Sequence, residues 1–384
     1  MNTTELLFLL IRSEICGNKN EAIIESLSEN DLKSLFRLAK AHDISHIVSS
    51  ALEKRGLFSN DEVSRRFQRE QMISVYRSEQ LKYAFNEICA LFENEKIPYI
   101  PLKGSVLRSY YPEEWMRTSC DIDILIRDED IKRAADALTQ RLDYQTDYRR
   151  NYHDTSLHSP NGVHLELHFN IKENMRNIDT LLSEVWEHSR REKDDAFRYE
   201  LTKEFFVFHH IAHMSYHFIN GGCGVRPFID LFIMKNNIGY DERTVRDYCR
   251  QCDIEDFYNN LLNLTDVWFG GDEHTPLTQR IEDYILQGGV YGTLENKVIV
   301  SQSIRGGKLK YVLSRFFMPY EALKNYYPVL NKHKWLFPFM QIRRWIRFLL
   351  KGKFKKGIRE IRVNQRVEKS QTEKMRDFLK EVGL

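Results

Sequence analysis

The apolar residues of this chain recur with a helical period almost everywhere except between residues 97 and 169, and that break constrains the fold most. In "DLKSLFRLAKAHDISHIVSSALEKRG", Leu32, Leu35, Phe36, Leu38 and Ala39 fall at helical spacing. "SVYRSEQLKYAFNEICALFENEKI" repeats the pattern to about Glu95 with no interior Gly or Pro. From residue 97 the texture changes. "PYIPLKG" reads as a short strand closing on a glycine, and "CDIDILIR" as a second strand. "YQTDYRRNYHDTSLHS", the turn "PNG" and "VHLELHFNI" read as a hairpin, with Pro160, Asn161 and Gly162 as its turn residues. "SVLRSYYPEEWMRTS" reads as a helix stopped before Pro112 followed by a loop, and "DEDIKRAADALTQRL" as a capped helix. The expected fold class is α+β, a small mixed β-sheet with helices on one face, flanked by helical domains. The boundaries are expected at 1–95 for an N-terminal helical domain, 96–198 for the α/β core, 199–300 for a second helical domain, and 301–384 for a basic amphipathic helical segment.

Composition narrows the class further. At 42% hydrophobic and 29% charged, the chain has the make-up of a soluble globular protein, and its net charge of +2 does not by itself select a polyanionic partner. The opening "MNTTELLFLLIRSEICG" has no basic n-region and its apolar run ends at Arg12, so no signal peptide is expected. No stretch approaches the roughly 18 apolar residues that span a bilayer. The cysteines are scattered through a large chain, which suggests reduced thiols and a cytoplasmic protein. Cys249 and Cys252 form one C-x-x-C without a second pair, and read as two helix cysteines.

The chemistry concentrates on the strands. Side chains alternate across a strand, so Asp121 and Asp123 share one face and Ile122 and Ile124 the other. The two aspartates sit about 6–7 Å apart at Cα, where like charges raise each other's pKa unless a cation lies between them. In "VHLELHF", Val163, Leu165, Leu167 and Phe169 go together, leaving His164, Glu166 and His168 opposite. If the two strands are neighbours, Glu166 joins the aspartates, and three carboxylates on one open face make a hard-oxygen site suited to Mg²⁺. Upstream, Gly104 and Ser105 stand at a strand-to-helix junction, where backbone N–H groups favour an anion. Lys103 either neutralises phosphate charge or lies along the strand. Arg117 either braces the aspartates, touches phosphate or makes a loop salt bridge. His209, His210, His213 and His217 include i, i+4 pairs, but no H-E-x-x-H motif accompanies them. Arg226 and Asp230 lie one helical turn apart and are placed to pair with each other.

That set, in that order, resembles the DNA polymerase β-like nucleotidyltransferase superfamily: a helix-capping Gly-Ser, Asp-x-Asp on the next strand, and a third acidic residue on a later strand. More closely, the chain is similar to a bacterial family of uncharacterised nucleotidyltransferases through "IPYIPLKGSVLRSYYP", "MRTSCDIDILI", "VHLELHF" and "HHIAHMSYHF…GVRPFIDL". The likeness covers most of residues 1–330. The interval from Ser105 to Asp121, with Tyr110, Tyr111 and Pro112 in it, is longer than the usual superfamily spacing, and the closer family shares it.

The resemblance implies transfer of an NMP from Mg-NTP, with ATP as the default donor, to an acceptor hydroxyl. Two Mg²⁺ ions would be held by Asp121, Asp123 and Glu166, which are also the catalytic residues. It implies nucleotide contacts from Lys103, Gly104, Ser105 and Arg117. It places His168, His213, His217, Arg226 and Asp230 on the substrate side, with residues 199–300 closing the cleft. The acceptor is open between a small molecule, a protein and a nucleic-acid end. The alternative is a nucleotidyltransferase fold without turnover that binds a nucleotide or a protein partner, as an antitoxin would.

The C-terminal "WLFPFMQIRRWIRFLLKGKFKKGIREIRVNQR" is basic and interleaved with aromatic and aliphatic residues. It reads as a nucleic-acid or anionic-membrane surface, or as an amphipathic helix packed on the body. Trp335, Phe339, Ile342, Trp345, Ile346 and Leu349 recur at helical spacing, so the stripe is expected to dock.

Overall fold

Strands form where the period-two patterns lie. The structure is a computed structural model and describes residues 2–16, 24, 26–150, 154–290, 292–327, 329–350 and 354–384. Strands β1 (Tyr99–Pro101), β2 (Asp121–Ile126), β3 (Gln145–Arg150), β4 (Asp154–His158) and β5 (His164–His168) form one sheet in the order β1-β2-β5-β4-β3. Only β2 and β5 run parallel, so the sheet is mixed. The register sets Asp121 opposite His164 and Asp123 opposite Glu166. The "PNG" turn joins β4 to β5, with Gly162 at φ +76° and the Val163 N–H donating to Ser159 Oγ at 2.9 Å. The stretch read as one arm of that hairpin divides into β3 and β4, which pair with each other. A five-residue partner strand leaves a longer arm nothing to pair with, and the chain doubles back; Asn151–His153, between the two, lie outside the described residues. A separate ribbon pairs β6 (Ser189–Arg191) with β7 (Tyr199–Leu201).

Helices α1 (Thr3–Ile15), α2 (Glu29–Ala41), α3 (Ser45–Lys54) and α4 (Glu62–Asn94) precede the sheet. Side-chain caps start three of them: Asn2 and Ser28 in capping boxes, and Asp61 accepting from the Ser64 N–H. After β1 come the single-turn α5 (Gly104–Leu107) and, beyond β2, α6 (Ile131–Leu142). The second half of α4 and α6 cover one face of the sheet. Leu81, Ile88 and Phe92 with Ala134 and Leu138 pack on Ile122, Ile124, Leu165 and Leu167, all buried. Alternation then turns Asp121, Asp123 and Glu166 to the other face.

The rest is helical: α7 (Arg176–Leu182), α8 (Lys203–Ile219), α9 (Arg226–Asn237), α10 (Glu242–Gln251), α11 (Glu255–Thr265) and α12 (Pro276–Gly288). There follow α13 (Leu294–Arg305), α14 (Lys308–Phe316), α15 (Tyr320–Tyr326), α16 (Val329–Lys332), α17 (Phe337–Leu350), α18 (Phe354–Arg366) and α19 (Lys369–Val382). Residues of α1–α3 and α8–α12 share one hydrophobic core, in which Phe8 stacks on Trp268 at 4.4 Å. Helix α19 returns to it through Phe378, Leu379 and Val382.

The expected docking of the C-terminal stripe occurs only in part. Trp335, Phe339, Ile342 and Ile346 are exposed. The held side of α17 carries Trp345, a half-buried member of the stripe whose Nε1 donates to the Phe316 carbonyl at 2.7 Å, and Gln341, whose Nε2 donates to the Met318 carbonyl. Hydrogen bonds to carbonyls at and just after the end of α14, together with the Phe317–Trp345 and Tyr320–Phe337 ring contacts, hold this helix. The Leu349 side chain lies outside the described residues.

Candidate active site

The open face of the sheet looks onto α8 and α9, and the cleft between them collects most of the residues singled out from the sequence. Lys103, Gly104, Arg117, Asp121, Asp123, Glu166, His213, His217, Arg226 and Asp230 all line it. Ser105 does not. It lines a separate cavity with Lys82, Arg108, Glu114 and Ile122, and its N–H donates to the Leu102 carbonyl at 3.1 Å. At Gly104 an added Cβ would come within 3.3 Å of Arg117 Nη1 and Ser119 Cβ, so the glycine gives the arginine room to pass.

Among the described residues, two groups bring their donor atoms close enough to hold a metal ion. Asp121, His164 and Glu166 form one, and Asp123, Glu166 and His168 the other, with all donor atoms in each group within 4.8 Å of one another. The groups overlap at Glu166.

The protein manages this density of negative charge with two cations of its own. His168 Nε2 lies 2.8 Å from Asp123 Oδ1 and 3.5 Å from Glu166 Oε2. Burial opposes its charge, but the two carboxylates win and push its pKa up to about 9. His168 is buried, bonded to both carboxylates, and lines a cavity with Lys103, His213 and His217. Lys103 is the second cation. Burial works against its charge, yet Asp123, Glu173, Asp121 and Glu166 hold its pKa above the ordinary lysine value. Its backbone sits at φ +43°, a region unfavourable for a side chain with Cβ, at the corner where the Leu102 N–H donates to the Asp123 carbonyl.

The three carboxyls therefore titrate differently. Burial would raise Asp123, but Lys103 and the His168 hydrogen bond hold it well below the usual range. The His168 hydrogen bond likewise lowers Glu166, against burial. Asp121 moves upward, through burial and then the charges of Asp123 and Glu166. Asp121 is the member of the set that most lacks a cation.

The cleft wall is built from pairs that differ from the expected ones. Arg226 and Asp230 do not pair with each other. Asp230 accepts from Arg117 Nε at 2.7 Å and from the Tyr111 hydroxyl at 2.6 Å, all three buried. Arg226 Nη1 lies 3.1 Å from Asp43 Oδ2 and 3.2 Å from Thr118 Oγ1. Both α9 residues thus clamp the loop before β2, a long-range arrangement that their one-turn spacing does not encode. On the opposite wall His213 Nδ1 lies 2.6 Å from Glu173 Oε1, and His217 Nε2 lies 3.0 Å from His213 Nε2. Burial lowers both histidine pKa values, which favours their neutral forms. A carboxylate only accepts, so Glu173 fixes the His213 proton on Nδ1. His213 Nε2 then accepts from His217 Nε2–H, which leaves His217 Nδ1 as an acceptor. Glu173 and Asp43 sit in loops or turns with no motif around them, and Tyr111, though inside the Gly104–Ser105 motif stretch, has its partner Asp230 far off in the chain, so none of the three has a role legible in the sequence.

The family model described as uncharacterised nucleotidyltransferase matches residues 28–270, well over half of the chain. The chain belongs to this nucleotidyltransferase family. No curated protein gives a significant match. The match takes in every cleft residue named above, and α12–α19 lie beyond it. Membership supports nucleotidyl transfer as the general activity of this nucleotidyltransferase and a nucleotide as a substrate, and such families typically use divalent metals. No described helix is long and apolar enough to cross a membrane.

Proposed function

We propose that this nucleotidyltransferase transfers a nucleoside monophosphate, AMP by default, from Mg-NTP to an acceptor hydroxyl, releasing pyrophosphate. The observation that carries the reading is the overlap of two donor groups at Glu166, one holding Asp121 and the other Asp123. Carboxylate oxygens in that number fit Mg²⁺, and an upward-shifted Asp121 beside two further carboxylates is a donor set short of positive charge. Bound there by Asp121, Asp123 and Glu166, two divalent ions would supply charge stabilisation for the attacking and leaving oxygens of an in-line displacement.

The remaining roles fall to the chain's own groups. Lys103, held over the carboxylates, adds positive charge where a triphosphate enters. His168 keeps Asp123 and Glu166 ionised and in place. Arg117, fixed by Asp230, is a rigid cationic floor beneath Gly104. The Glu173–His213–His217 chain presents His217 Nδ1 as a fixed acceptor for a hydroxyl on the far wall. Positioning and charge stabilisation of this kind are most of what phosphoryl-type transfer requires.

The test is pyrophosphate release from each NTP with a panel of hydroxyl compounds. Asp123→Asn and Glu166→Gln should each lose at least a hundredfold in rate while keeping the wild-type circular dichroism spectrum. Activity within a few-fold of wild type in either variant contradicts the assignment.

A further inference from the structure

Among the described residues, the C-terminal helices present a face that the body of the protein does not cover. On the run ending in α17, Trp335, Phe339, Ile342 and Ile346 are 68%, 57%, 49% and 52% exposed, and their spacing puts them on one side of a helix. Lys334, Arg343 and Arg347 on the same run are also exposed. Leu309, Leu313 and Phe316 of α14 are exposed as well, beside exposed Lys308 and Lys310. The two helices are joined: Arg344 Nη2 and Trp345 Nε1 both donate to the Phe316 carbonyl, and the Phe317 and Trp345 rings lie 5.6 Å apart. An exposed apolar patch of this extent marks an interaction surface.

Charge identifies the partner. Residues 301–384 carry 21 Lys and Arg against 6 Asp and Glu, in a chain whose net charge is only +2. The positive charge is therefore segregated into this segment, and it matches a polyanion. Nucleic acid would satisfy the arginines and give Trp335 and Phe339 bases to stack on. It offers nothing to the aliphatic Ile342, Ile346, Leu309 and Leu313, because recognition of single strands runs through aromatic stacking and phosphate contacts. A bilayer surface takes both sets at once, the aliphatic stripe at the acyl boundary and the cations among anionic headgroups. A Trp at the end of the stripe suits that interface.

We propose that α14 and α17 form a docking face on which the protein lies peripherally against an anionic lipid membrane. The inference is independent of the transfer chemistry, and its test needs neither nucleotide nor acceptor. Full-length protein is floated with vesicles of phosphatidylcholine alone, and with vesicles containing about 30% phosphatidylglycerol. Ile342→Glu/Ile346→Glu and Arg343→Glu/Arg347→Glu are compared with wild type. All four positions are exposed, and unchanged melting temperatures establish that the variants fold.

Wild type should float with anionic vesicles at least tenfold more than with neutral ones, and about 0.5 M salt should remove most of the binding. Each double variant should lose at least tenfold. Absence of flotation with anionic vesicles overturns the proposal, as does binding that both double variants retain. RNA binding that survives Ile342→Glu/Ile346→Glu, without vesicle binding, would assign the face to nucleic acid. A dimer in sedimentation that the same variant dissociates, again without vesicle binding, would assign it to a second copy of the chain. Either result overturns the membrane reading.

Discussion

Asp230→Ala should be among the most destabilising single changes in the cleft. Its carboxylate accepts from Arg117 Nε at 2.7 Å and from the Tyr111 hydroxyl at 2.6 Å, and the Arg117 and Asp230 side chains are only 9% and 2% exposed. Truncation leaves a guanidinium buried without its counter-ion, which costs about 3–5 kcal/mol. The orphaned phenol adds about 1 kcal/mol more. In a chain of this length each kcal/mol moves the melting temperature by roughly 2 °C or less, so a fall of about 5–10 °C is expected. Chemical denaturation measures the free energy directly. The decisive comparison adds Arg117→Met/Asp230→Leu, because replacing both partners of a buried pair by apolar groups is often neutral. That double variant should recover at least about 2 kcal/mol over Asp230→Ala. The pair also has a pH signature. Arg117 holds the Asp230 pKa below its ordinary value against burial, so the stabilisation is fully present above that ordinary value. It disappears as pH falls through the folded value, and the gap between wild type and Asp230→Ala should close in acid. A single variant within about 1 kcal/mol of wild type at neutral pH would refute the reasoning, as would a double variant no more stable than the single.

Two further changes probe the core around α19 and the charge of Asp121. Phe378→Ala should cost about 3–5 kcal/mol, because the ring is buried between Tyr284 at 5.4 Å and Phe218 at 6.1 Å, and denaturation of the full chain reads it. Asp121→Asn should raise the melting temperature of metal-free protein, since burial and the neighbouring carboxylates disfavour the Asp121 charge, while abolishing stabilisation by Mg-NTP; a lower metal-free melting temperature would contradict the electrostatic description.

How much of this was legible beforehand depends on the range of the interaction. Alternation along β2 and β5 assigns Asp121, Asp123 and Glu166 to one face from local pattern alone. The parallel pairing that brings Asp123 opposite Glu166 needed only that the two strands be neighbours. The partners of Arg226 and Asp230 lie 183 and 113 residues away, at Asp43 and Arg117, and no spacing rule reaches that far. Ser105 was drawn to the cleft by its neighbour Gly104, but one residue's rotation at the start of a single-turn helix sends it to the opposite side. The stripe on α17 was correctly periodic, yet periodicity shows only that a face is apolar, not what covers it.

On the proposed function, Asp121, Asp123 and Glu166 hold divalent metal together with a triphosphate. This joint binding is tested most directly by the melting temperature of wild type and of Asp121→Asn/Asp123→Asn, with ATP, GTP, CTP or UTP and with or without Mg²⁺. Ligand at about a hundred times its dissociation constant adds roughly 2.7 kcal/mol to native stability, a shift of a few degrees. Wild type should shift only when Mg²⁺ and a nucleotide are both present, and the double variant should not shift at all. An equal shift in the two proteins, or none in wild type with any of the four nucleotides at millimolar concentration, would contradict it.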